Sequence, residues 1–125
     1  MEWYCAVWNS DKVSNVMGAQ FLYEQLCQGE DSLVGDIGLI DEFFEDLISN
    51  GEKLDINKGK GFIIIGCLLE DAEEIDNLVK GLAKQHGLSY YEPQNMTYIF
   101  LKVKDMISIG YLVRFLLIIY LYLRQ

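Results

Sequence analysis

The chain has 125 residues, 51% of them hydrophobic and 23% charged, with 19 Asp and Glu against 10 Lys and Arg and a formal net charge of −9. That mixture excludes a disordered acidic tail and a low-complexity linker, and the length suits one domain around one sizeable core. Residues 1–94 carry 18 acidic and 6 basic side chains (net −12) and residues 95–125 carry 1 and 4 (net +3), so the body lacks the clustered Lys and Arg that grip a phosphate backbone, and no nucleic-acid partner is expected.

Trp3-Tyr-Cys-Ala-Val-Trp8 is an aromatic and β-branched run, the pattern of a strand buried on both faces, and it stops at the turn-prone Asn9-Ser10-Asp11. Ser14 is placed to cap a helix running to about Gln28, with Val16, Ala19, Tyr23, Leu26 and Cys27 at helical spacing and Gly29 as the stop. Residues 30–38 read as a loop. Over 39–49 the stripe Ile40, Phe43, Phe44, Leu47, Ile48 opposes Asp41, Glu42, Glu45 and Asp46, which predicts a second helix ended by Asn50-Gly51. Residues 52–61, polar and glycine-rich around Lys53, Lys58 and Lys60, read as a surface loop.

Phe62-Ile-Ile-Ile-Gly-Cys-Leu-Leu69 is continuous enough for an interior strand. Asp71 with Glu74 three residues on forms a variant capping box, and Ile75, Leu78, Val79, Leu82 and Ala83 line one face of a third helix that Gly87 terminates. Leu88–Tyr91 is a short strand ended by Pro93, and Met96–Val103 another, with Thr97, Ile99, Leu101 and Val103 on one face. The order β-α-α-β-α-β-β predicts an α/β (α+β) domain over residues 1–104: a small sheet of about four strands with two or three helices packed on it. The third helix is expected to join parallel neighbouring strands by a right-handed crossover.

An apolar C-terminal segment follows, residues 105–125. Fifteen of the eighteen residues from Met106 to Leu123 are apolar. As a helix it would measure about 27 Å, against a hydrocarbon core of roughly 30 Å, and Arg114 in its middle would cost about 2.5–3.5 kcal/mol on insertion. Packing on the sheet, pairing with a second copy or other partner, and membrane insertion all fit the composition, and packing fits best. The expected outcome of carbonate extraction is that the full chain leaves the membrane pellet; retention there would show insertion.

The chemistry of a catalyst is sparse. Cys5, Cys27 and Cys67 are far apart, no CxxC occurs, and His86 is the sole histidine, so no zinc or iron–sulfur ligand set assembles within the chain, and no cofactor is expected. Each cysteine sits among apolar neighbours and reads as a buried small hydrophobe in a reducing, cytoplasmic setting, and the N-terminus lacks a secretory signal. His86, in the last turn before Gly87, is placed to satisfy terminal carbonyls of its helix; catalysis would need it beside Cys5, Cys67 or a carboxylate. Lys58-Gly59-Lys60-Gly61 precedes a strand, unlike a phosphate-cradling loop. The acids Asp41, Glu42, Glu45, Asp46 and Asp71, Glu73, Glu74, Asp76 lack calcium-loop spacing. They are solvated helix faces or a docking surface for a basic partner, which Trp3, Trp8, Tyr90 or Tyr91 could complete with aromatic contacts.

Two blocks carry a resemblance: the opening strand ending Ala6-Val7-Trp8, and His86-Gly87-Leu88 with Tyr91-Glu92-Pro93-Gln94. Together they resemble a largely uncharacterised family of small bacterial α/β proteins, some of which look like immunity proteins of toxin systems. The resemblance implies a compact cytoplasmic protein without known catalytic residues, and His86, Gly87, Leu88, Tyr91, Pro93 and Gln94 as a structural motif. The function expected is non-enzymatic: an immunity-type inhibitor that docks Asp41, Glu42, Glu45, Asp46, Glu73, Glu74 and Asp76 on a basic toxin partner. A small enzyme using His86, and a membrane-tethered accessory subunit, are the other classes.

Overall fold

The first strand, β1 (Glu2–Trp8), lies in the middle of a five-stranded antiparallel sheet. In this computed structural model residues 2–10, 12–32, 34–35, 39–50, 54–100 and 119–123 are described. From Trp3 to Trp8 every side chain but Tyr4 is buried, as the unbroken apolar run requires. β1 is followed by α1 (Val16–Cys27), α2 (Leu39–Asn50), β2 (Asp55–Gly59), β3 (Phe62–Leu68), α3 (Ala72–Gln85), β4 (Ser89–Glu92) and β5 (Thr97–Ile99). The strand order is β2-β3-β1-β4-β5. β3 pairs with β1 from Glu2↔Leu68 to Trp8↔Phe62, and β4 pairs from Ala6↔Tyr91 to Trp8↔Ser89.

Alternation along β1 divides the core in two. Trp3, Cys5 and Val7 point with Ile63, Ile65, Cys67 and Tyr90 to the face covered by α2 (Ile40, Phe43, Leu47) and α3 (Ile75, Val79, Ala83). Ala6 and Trp8 point with Phe62, Ile64 and Tyr91 to the opposite face, covered by α1 through Ala19, Leu22 and Leu26. Each fully buried Leu or Ile on these faces contributes about 1.5–3 kcal/mol of transfer free energy. Setting α1 and β5 aside, the plan is β-α-β-β-α-β with order β2-β3-β1-β4, the split β-α-β arrangement.

The α+β class and the packed helices agree with expectation; the strand count is five. The additional strand is β2, read from its polar sequence as loop. It is an edge strand whose residues Asp55, Asn57 and Lys58 are exposed, so no apolar alternation marks it. β3 and β4 both run antiparallel to β1 and hence parallel to each other, but β1 lies between them, so the expected neighbours are not adjacent. α1 is capped by Asn15, whose side chain accepts from Gly18 N at 2.8 Å, one residue beyond the expected Ser14. Asp71 has a helical backbone and makes no capping bond, because a 3₁₀ turn over Leu69–Asp71 already leads into α3.

α1 and α3 end alike. After α3, Leu88 N donates to Ala83 O (2.8 Å) and Gly87 N to Lys84 O (3.2 Å), with Gly87 at φ 71°. After α1, Glu30 N donates to Gln25 O (2.9 Å) and Gly29 N to Leu26 O (3.0 Å), with Gly29 at φ 85°. Both are Schellman motifs that satisfy the last carbonyls through the backbone alone. The expected ends of α2 at Gly51 and of the last strand at Val103, the domain boundary at 104, and residues 106–118 of the apolar segment lie outside the described residues. Residues 119–123 are helical and exposed.

The β2–β3 hairpin turns through Lys60-Gly61, and only Gly61 of the pair has positive φ (75°), the sign pattern of a type II turn. Asn9 anchors the tip: Asn9 N donates to Gly61 O and Gly35 N to Asn9 O, both at 2.9 Å. A Cβ on Gly61 would stand 1.6 Å from Gly35 O. Gly61→Ala is expected to lower stability by at least about 1–3 kcal/mol. Gly81→Ala, inside α3 with nothing within 4 Å of its Cβ, is expected to raise it by roughly 0.5–1 kcal/mol. Urea midpoints that moved the same way for both would contradict this geometry.

Candidate functional site

α2 and α3 pack side by side on one sheet face and carry all seven acids expected to meet a partner. Amphipathic spacing places them there: the buried residues Ile40, Phe43, Leu47 and Ile75, Val79, Ala83 take the inner face and turn the carboxylates outward. Three of the seven have internal partners. Asp41 pairs with Lys58 Nζ of β2 at 2.7 Å. Asp76 pairs with Lys80 Nζ at 2.9 Å and accepts from the Tyr90 hydroxyl, and Lys80 stands 5.6 Å from the centroid of the Tyr90 ring. Asp46 Oδ2 lies 2.6 Å from His86 Nε2. The other four, Glu42, Glu45, Glu73 and Glu74, are exposed and have no ion pair with another described residue.

Among the described residues the His86 side chain therefore reaches Asp46 and does not take the carbonyl-capping role expected from its position. The Schellman bonds already satisfy the last carbonyls of α3, which frees the imidazole to reach α2. Its ring meets Phe43 edge-on, with centroids 6.1 Å apart and planes at 88°. The side chain is 12% exposed, and Asp46 beside it 43%. The pair ties together the two helices of the acidic layer.

The other residues of the His-Gly-Leu and Tyr-Glu-Pro-Gln blocks serve the sheet. Leu88 and Tyr91 are buried on opposite faces. Tyr91 donates its hydroxyl to Gln20 of α1. Pro93 opens the four-residue turn between β4 and β5, whose last residue, Met96, has φ 52°. Gln94 acts as a substitute peptide group beside β1: its Oε1 accepts from Tyr4 N and its Nε2 donates to Tyr4 O, both at 2.8 Å. β1 thus keeps a partner beyond the end of its pairing with β4.

Sequence reasoning missed the work of Glu92, which is 4% exposed. Its carboxylate accepts from Trp3 Nε1 (3.0 Å), Asn95 N (2.6 Å) and Asn95 Nδ2 (2.9 Å). Three donors make a buried carboxylate tolerable. The available signal was an acid following two tyrosines in an otherwise buried strand. Trp3, Trp8, Tyr90 and Tyr91 are all buried and lend no aromatic surface to a partner. Of the cysteines, Cys5 and Cys67 are buried as expected, but Cys27 is exposed on the final turn of α1. Among the described residues no group of three or more His, Cys, Asp and Glu could hold a metal ion, and no helix is long and apolar enough to cross a membrane.

Burial governs the titrations of this region. It pushes the Cys5 thiol well above its ordinary value, assisted by the charges of Asp76, Cys67 and Glu92 and opposed by the Tyr90 hydroxyl. Burial likewise raises Tyr90, helped by Cys5 and Asp76, and Tyr23, helped by Cys27. Burial thus disfavours the Cys5 thiolate, the form that acts as a nucleophile. No protein-family model, curated protein or solved structure matches the chain.

Two outcomes follow from these contacts. Glu92→Ala leaves the Trp3 indole N–H and the Asn95 amide without an acceptor and should cost about 1–3 kcal/mol, measured by denaturant unfolding followed through tryptophan fluorescence. Tyr90, Tyr23 and Cys5 all contribute to the alkaline limb. Folding raises all three, so their contribution is complete below the unfolded values, about 8.5 for a thiol and about 10 for a phenol, and is lost as pH climbs past them. Thermal stability should therefore begin to fall above about pH 8.5 and fall further above about pH 10, with part of the tyrosinate absorbance appearing only on unfolding. All eight tyrosines ionising together in the folded protein would contradict this burial.

Proposed function

We propose that the chain is a non-enzymatic binding protein that presents α2 and α3 to a basic protein partner, in the manner of an immunity-type inhibitor of a bacterial toxin acting in the cytoplasm. The observation that carries the reading is the set Glu42, Glu45, Glu73 and Glu74, exposed and without an ion pair to another described residue, on two adjacent helices of one layer. Carboxylates left free of internal cations project a field that speeds the approach of a basic surface and rejects an acidic one. The net charge of −12 over residues 1–94 strengthens that field. The resemblance of the Ala6-Val7-Trp8 and His86–Gln94 blocks to small bacterial proteins, some of them immunity-like, supports the same class. Asp41, Asp46 and Asp76, committed to Lys58, His86 and Lys80, contribute by holding the layer in place.

A second reading, a small enzyme working through His86, is favoured by one observation: Asp46 orients the imidazole across 2.6 Å. Co-expression with the product of the neighbouring gene separates the two. The expected result is a complex that weakens steeply with salt and whose association slows roughly tenfold or more in the Glu42→Lys, Glu45→Lys double variant. His86→Gln, with the same circular dichroism, should still bind. Binding indifferent to both charge reversals would overturn the acidic interface, and a catalytic turnover abolished by His86→Gln would establish the enzyme.

A further inference from the structure

We draw no further inference here: the strongest candidate, the exposed surface patch of Met17 and Phe21 on α1, carries nothing because nothing in the structure shows what covers it.

Discussion

Burying both faces of β1 obliges the chain to pair both of its edges, since a backbone donor or acceptor away from water costs about as much as a lost hydrogen bond. β3 meets one edge along all seven residues of β1. β4 meets the other over three, and Gln94 continues the pairing at Tyr4 with a side-chain amide in place of a peptide. Each face then needs its own cover, which fixes α1 on one side and α2 with α3 on the other. Most of the architecture is the set of answers to what the run Trp-Tyr-Cys-Ala-Val-Trp demands.

The two helix layers differ in character. α1 carries one charged residue, Glu24, and leaves Met17 and Phe21 77% and 55% exposed. α2 and α3 bring a dense set of acids, of which Asp41 and Asp76 pair with Lys58 and Lys80 and Asp46 contacts His86. Isolated surface pairs of this kind contribute about 0–1 kcal/mol each, so their main effect is geometric: they hold neighbouring elements while the outermost glutamates stay exposed. Stability therefore resides in the two apolar clusters, and the charged rim can vary with little cost to the fold.

Periodicity made the helices and the two interior strands legible. Ile40, Phe43, Leu47 and Ile75, Val79, Ala83 are buried as the 3.6-residue spacing predicts, and β1 and β3 are interior as their unbroken apolar runs predict. β2 escaped because an edge strand needs only one partner and no buried face. The third-helix crossover skips a strand, because β1 sits between β3 and β4, and spacing along the chain does not reveal that insertion. At the site, the positions of the acids on helix faces were legible. Their partners were not: Asp46 meets a histidine forty residues away, and Trp3 a carboxylate eighty-nine residues away. Such pairings are products of the tertiary fold. The caps show the same limit on a smaller scale, because Ser14 and Asn15 are equally suited by type and the backbone decides between them.

His86 is the only histidine in the chain, and its ring stands against Asp46 and Phe43 where α2 and α3 meet. Every imidazole resonance of this protein consequently originates at that junction. The molecule carries a native spectroscopic label between its two acidic helices, readable without an engineered probe and separate from the aromatic signals of the core.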